Sequence, residues 1–195
     1  MSKAANTRKY ILEHAFDLVY HHGYQATSID KIIETTSVTK GAFFYHFKNK
    51  QQMGLALIRE VIFPRIKEGL IFPLSSFEDP IEGIYTTISN FMLGTSEKQL
   101  MNGCPTNNLV QEMAPLDEEF REALIEIMSL WEKTIASLLV KAEEQGRLWS
   151  GHDFDAIARY IVASYEGARA TGKLYRSHDY YRQYLSQLRS YLESL

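Results

Sequence analysis

The reading of this chain turns on residues 27–50, Thr27-Ser28-Ile29-Asp30-Lys31-Ile32-Ile33-Glu34-Thr35-Thr36-Ser37-Val38-Thr39-Lys40-Gly41-Ala42-Phe43-Phe44-Tyr45-His46-Phe47-Lys48-Asn49-Lys50. Two short helical patterns meet there at a polar turn. Thr27 or Ser28 is suited to cap the first, with Asp30 three residues after Thr27 as a reciprocal partner, and Ile29, Ile32 and Ile33 turn inward. Ser37-Val38 makes the turn, Val38 plugs the space between the helices, and Thr39 caps the second. Gly41 in a first helical turn costs up to about 1 kcal/mol relative to Ala, so its presence calls for a reason. Close approach of DNA to the backbone supplies one. Phe43 and Phe47, four residues apart, return to the core, which leaves Lys40, Ala42, Phe44, Tyr45 and His46 nearer the outer face. A second helix that begins with small and basic residues and ends in an aromatic and basic cluster has the layout of a helix-turn-helix.

Working outward, residues from about Thr7 to His22 carry one apolar stripe of Ile11, Leu12, Ala15, Phe16 and Val19, and Gly23 supplies a left-handed stop. On the other side Lys48-Asn49-Lys50 opens a long fourth helix, 49–70, through Met53, Leu55, Leu57, Ile58, Val61 and Ile62. Pro64 interrupts it, removing a backbone donor and predicting a kink or an end. Phe72-Pro73-Leu74-Ser75-Ser76 reads as a surface connection, and Asp79-Pro80-Ile81-Glu82 as a helix start with Asp as cap and Pro first. Ile81, Ile84, Tyr85, Ile88, Phe91 and Met92 share the face of that fifth helix, and the polar stretch from Gly94 to Asn102 reads as loop. A short sixth helix opens at Pro105. Asp117-Glu118-Glu119 starts a long seventh, whose Phe120, Leu124, Ile127, Trp131, Ile135, Leu138 and Ala142 step inward as far as Gly146. Asp153 caps an eighth, with Ile157, Ile161, Tyr165 and Leu174 inward beside the small residues Ala163, Gly167, Ala170 and Gly172. The last helix repeats Tyr181, Leu185, Leu188, Leu192 and Leu195 as a cover for the core. The expected fold is all-α, about nine helices with no sheet.

With 195 residues and 45% hydrophobic content the chain can bury a real core. Its net charge of -3 is unevenly spread. Residues 1–50 hold seven Lys/Arg against four acids, a net of +3, and subtraction from 21 and 24 leaves 14 against 20 in residues 51–195, a net of -6. A DNA-facing surface is therefore expected at the N-terminal end. The single cysteine, Cys104, excludes an intrachain disulfide, and the N-terminus lacks the apolar core of a signal peptide, so the expected location is the cytoplasm.

Gly23-Tyr24, Thr27-Ser28-Ile29, Ile32, Val38-Thr39-Lys40-Gly41, Phe44-Tyr45-His46-Phe47 and Lys50 together resemble the DNA-binding domain of the TetR family of bacterial transcriptional regulators, ungapped over roughly residues 7–60. The resemblance implies a homodimer with one helix-turn-helix per subunit in residues 1–50 and a ligand-binding and dimerisation domain in residues 51–195. It implies a ligand-responsive regulator, most simply a repressor, that binds a palindromic double-stranded DNA operator and is released by a small-molecule inducer. Thr27 or Ser28, Phe44, Tyr45, His46 and Lys50 would then lie against phosphates, and Thr39, Lys40, Gly41 and Ala42 would approach bases. Phe44 departs from the family, which usually has tyrosine there, so that hydroxyl contact to a phosphate is lost. The dimer would pair the two long C-terminal helices with their symmetry mates.

An inducer pocket needs apolar walls and a few polar groups. The candidates are Tyr85, Ile88, Phe91, Met92, Cys104, Asn107, Asn108, Met113, Trp131, Tyr165 and Arg169, and an inward Arg169 would point to an anionic ligand. Cys104, just before a helix begun by Pro105, suggests an alternative: a thiol-based sensor of oxidants or electrophiles. The six histidines lack metal-site spacing, and no phosphate loop, nucleophile elbow or facing carboxylate pair is present, so no metal, cofactor or catalysis is expected. A cysteine-dependent enzyme is the remote alternative.

Overall fold

The structure, a computed structural model, describes residues 3–195. Met1 and Ser2, with which the polar N-terminal stretch begins, lie outside them. The described residues form helices and connecting turns with no strand, as the periodicity requires. In chain order the helices are α1 (Lys3–His22), α2 (Ile29–Glu34), α3 (Lys40–His46), α4 from Lys50, α5 (Pro80–Leu93), α6 (Glu97–Asn102), α7 (Pro105–Met113), α8 (Glu118–Glu144), α9 (Phe154–Tyr175) and α10 (His178–Glu193). The short α6 falls where a loop was expected. Its capping box explains it: Ser96 accepts from the Gln99 N–H while the Gln99 side chain accepts from the Ser96 N–H.

α4 answers the question that Pro64 poses. After an α-helical opening, Lys50–Leu57, the backbone widens into π-turns at Ile58–Ile62 and again at Lys67–Ile71, with Phe63–Ile66 between them. The Phe63 N–H reaches back to Ile58 O, so the wider turn is in place just before the proline that has no N–H to give. The helix therefore continues past Pro64 instead of stopping there. Phe72–Ser76, expected as a surface connection, is a 3-10 turn that buries Leu74.

The chain divides into two compact units: the residues up to Pro64 with Pro105–Ile125, and Arg65–Cys104 with Glu126–Leu195. These cuts fall inside α4 and α8, whereas the functional division suggested by the sequence falls at residue 50. In the first unit α1 packs on α2 and α4, burying Ile11, Leu12, Ala15, Ile32, Phe43, Phe47 and Met53. In the second, α5 packs on α10 and α9 packs on α6 and α10. Ile135, Ala158, Ile161, Tyr165 and Tyr181 are completely buried there, and Trp131 almost so. The inward stripe read for the seventh helix, Phe120 to Ala142, is buried throughout. Leu174, expected inward, is instead 78% exposed. The helix α9 turns by about 100° per residue, and nine residues beyond Tyr165 is half a turn off that residue's buried face. No helix among the described residues is long and apolar enough to cross a membrane.

Candidate nucleic-acid interface and ligand site

Two helix caps set the outward face of the first unit. Ser28, not Thr27, caps α2, its Oγ accepting from the Lys31 N–H at 3.1 Å. Thr27 is fully buried and its hydroxyl donates to Gly23 O at 2.7 Å. Of the two residues expected against a phosphate, only Ser28 is therefore exposed. Asp30 does not complete a capping box with Thr27 as read from the sequence; it pairs with Lys40 Nζ at 3.0 Å. Thr39 caps α3, accepting from the Ala42 N–H at 3.2 Å. Val38 is half-buried between the two helices.

The aromatic run separates as its spacing requires. Phe43 and Phe47 are wholly buried with ring centroids 5.5 Å apart, while Phe44 is 43% and Tyr45 78% exposed. Thr39, Lys40 and Gly41 are exposed and Ala42 is half-exposed beside them. A Cβ added at Gly41 would meet nothing within 4 Å, so no intrachain contact requires glycine there. The backbone carbonyl of His46 accepts from Arg8, which also stacks over Phe47 and pairs with Glu60. That tie fixes the end of α3. Lys50 donates from Nζ to Gln25 O at 3.1 Å and lies 4.4 Å above the Tyr24 ring. Partial burial there lowers its pKa, against the pull of Glu112.

Glu112, which sequence reasoning missed, ties two parts of this unit together. Its carboxylate accepts from the Tyr24 N–H at 2.8 Å and the Gln25 N–H at 2.7 Å, bracing the turn that leads into α2 from a helix more than eighty residues later. Burial raises Tyr24 to about 12, with Asp117 and Glu112 adding to the effect. Nothing at Glu112 in the sequence announces this, because the contact is made only when α7 folds back.

The pocket candidates sort into three groups. Phe91, Cys104, Trp131, Tyr165 and Arg169 come together in the second unit. Trp131 meets Tyr165 edge-on at 4.9 Å, and the Arg169 guanidinium lies 5.8 Å from the Phe91 ring and 5.7 Å from Tyr181. Arg169 is 2% exposed and donates to Gly103 O at 2.7 Å. The Cys104 thiol donates to Glu166 Oε1 at 3.2 Å. Burial lifts Glu166 to about 7, although the Cys104 hydrogen bond, Arg169 and Lys173 all pull it down. Neither Glu166 nor Lys173 was singled out in the sequence. The second group, Ile88 and Met92, is plain core, and Tyr85 lies under Arg189 at 3.6 Å beside Glu82. The third group, Asn107, Asn108 and Met113, belongs to the first unit, where Asn108 lines a cavity of about 10 Å³ with Phe16, Ile62 and Leu109. That space holds a single water at most.

Residues 11–57 match the model of the bacterial regulatory proteins of the tetR family, and residues 80–188 match the tetracyclin repressor-like C-terminal domain. The chain belongs to the TetR family. It is similar to the transcriptional regulator AcuR of Cereibacter sphaeroides, 33% identical over 78% of this chain and 69% of that one. The HTH-type transcriptional repressor DhaR of a Mycobacterium species is 24% identical over 92% of this chain and 88% of its own. The crystal structure of regulatory protein TetR from Rhodobacter sphaeroides superposes with a TM-score of 0.82 at 28% identity, covering 92% of this chain and 95% of that one. This TetR-family chain is thus a DNA-binding transcriptional regulator, as these relatives are.

Proposed function

We propose that this protein is a repressor that binds a palindromic operator in the cytoplasm as a homodimer and lets go when a small molecule occupies its C-terminal helices. The observation that carries the reading is the outward face of α3. Thr39, Lys40, Gly41 and Ala42 present short side chains and bare backbone at its start, and Tyr45 stands out at its end with no core to join. Short side chains let base edges approach, and the flanking Ser28, Phe44, Tyr45, His46 and Lys50 seat the helix on phosphates. Function thus divides the chain near residue 50, with 51–195 sensing and dimerising.

A dimer is supported by the outer sides of α8 and α9. Leu130 and Val140 are exposed on the first, and Tyr160, Ala163, Gly167 and Leu174 on the second. A Cβ at Gly167 would meet nothing within 4 Å, which leaves room for another helix to pack closely. A symmetric pair reads two half-sites where one short helix binds weakly. An inducer acts only by binding the released conformation more tightly than the DNA-bound one.

The thiol-switch reading gains one observation. Glu166, lifted to about 7, is placed to take the proton of Cys104 as its sulfur forms a bond to an electrophile. Selection of bound sequences from a random duplex pool, followed by footprinting and sedimentation, tests the main reading. Two protected half-sites about one turn apart and a dimer are expected; absence of any selected sequence overturns it. Release by an electrophile that survives Cys104→Ser removes the thiol reading.

A further inference from the structure

Asp30 puts a carboxylate on the face that otherwise offers Ser28, Thr39, Lys40 and Tyr45 to a polyanion. It holds Lys40 Nζ at 3.0 Å, an ion pair that runs from α2 to the start of α3. The Asp30 side chain is 70% and that of Lys40 65% exposed, so the pair stands in solvent. An ion pair this exposed adds little to stability, and a carboxylate brought to DNA is repelled by the phosphates. What a carboxylate can bind in a major groove is a base amino group, above all N4 of cytosine, while lysine suits O6 and N7 of guanine.

The spacing of the pair matches the edge of one base pair. Guanine O6 and cytosine N4 are hydrogen-bonded to each other, which sets them about 2.9 Å apart. Lys40 Nζ and Asp30 Oδ1, a donor and an acceptor 3.0 Å apart, meet that edge with opposite polarity. The ammonium has three N–H groups, one for Asp30 and two for O6 and N7, and the carboxylate has lone pairs enough to keep Lys40 while accepting from N4. An A·T pair sets its amino group between N7 and O4, with the thymine methyl beside O4, so the lysine reaches one acceptor at a time. Thr39 and Gly41 on either side of Lys40 are short, and a Cβ added at Gly41 meets nothing within 4 Å, so the neighbouring residues leave the pair free to approach a base.

We infer that Asp30 and Lys40 act as one unit that reads a single G·C base pair in each operator half-site, Asp30 accepting from cytosine N4 and Lys40 donating to guanine O6 and N7. The α2 carboxylate is thereby a specificity determinant alongside the start of α3. This rests on the operator reading above and names one base pair of that operator. Loss of Asp30 then removes selectivity at one position and leaves general attraction to DNA intact.

Bound sequences are selected from a random duplex pool with the parent, Asp30→Ala and Lys40→Ala, and affinities are read by fluorescence anisotropy at fixed salt. One position per half-site is expected to be G·C in the parent pool, preferred about 10-fold over other pairs, with the preference falling below about 2-fold in both variants. Asp30→Ala is expected to bind an unselected duplex at least as well as the parent, because a negative charge is gone. Single atoms are then removed from the parent's duplex. N4-methyl-dC at that position, which replaces the groove-facing N–H by a methyl group, is expected to weaken the parent about 5-fold or more and Asp30→Ala by less than about 2-fold. 7-Deaza-dG, which lacks N7, is expected to separate the parent from Lys40→Ala in the same way. A pool unchanged by Asp30→Ala, an A·T pair at the affected position, or N4-methyl-dC weakening parent and Asp30→Ala alike would each overturn the inference while operator binding stands. So would a uniform loss by Asp30→Ala across all duplexes, the result of an ion pair that only supports the fold. If the parent selects no duplex, the operator reading falls and takes the inference with it.

Discussion

The α2–α3 face and the interior of the second unit both carry polar groups, yet they are built in opposite ways. On the α2–α3 face Ser28, Thr39 and Tyr45 stand at the surface, where water serves them and exposure costs little. In the second unit the indole N–H of Trp131 and the hydroxyls of Tyr165 and Tyr181 are buried with no hydrogen-bond partner, where each such group costs about 1–3 kcal/mol. The first arrangement suits a large, highly charged partner that approaches a surface. The second suits a small molecule that must be enclosed. One physical rule, that a buried polar group must find a partner, thus separates the two regions.

The sharpest way to break that contrast is at the aromatic run shared by core and surface. Phe43→Ala removes a wholly buried ring and is expected to cost about 3–5 kcal/mol in urea denaturation. Tyr45→Ala, at 78% exposure, is expected to stay within about 0.5 kcal/mol while weakening operator binding. Comparable stability losses at both positions would mean that Tyr45 belongs to the core.

Glu166 tests the sealed region by pH. Its folded pKa of about 7 lies above the ordinary value of 4.5, chiefly through burial. The groups acting with it are Cys104, Arg169, Lys173, Tyr165, Tyr181 and Tyr184. Because the folded value is raised, its contribution is fully favourable below pH 4.5 and is lost as pH rises through 7. The parent is expected to lose up to about 3 kcal/mol over that interval relative to Glu166→Gln. Parallel stability curves for the two proteins would show that Glu166 titrates in the fold as it does in the unfolded chain.

Glu112 offers a smaller, mechanical test. Glu112→Gln replaces charge-assisted bonds to two backbone N–H groups and is expected to lower stability by about 1–2 kcal/mol, with a further loss of operator affinity, since the α1–α2 turn is no longer braced. Unchanged operator affinity would confine Glu112 to stability. The smallest effect belongs to Gly41→Ala. The added Cβ meets nothing within 4 Å, so the helix is expected to gain up to about 1 kcal/mol. The same change is expected to weaken operator binding, because the backbone is held off the bases. Operator binding equal to the parent's would mean that Gly41 does not approach DNA.

What was legible in the sequence was what depends on neighbours a few residues away. The 3.6-residue spacing of Phe43 with Phe47, and of Phe120 through Ala142, gave the buried faces, and Thr39, Asp79 and Asp153 marked helix starts by their own side-chain chemistry. The outward face of α3 followed from the same periodicity. Where two local solutions compete, as between Thr27 and Ser28 for the α2 cap, the sequence left the choice open and packing made it: Thr27 turns to Gly23 O inside the fold. Only the tertiary structure could bring Glu112 to Tyr24, or Glu166 and Arg169 to Cys104 and Gly103, because those pairs are separated by more than sixty residues. A side chain's periodicity tells it which way to face. What it meets there is decided by helices that pack from elsewhere in the chain, and that is why the outward face of α3 could be read directly while the buried, unpartnered donors of the second unit had to be found.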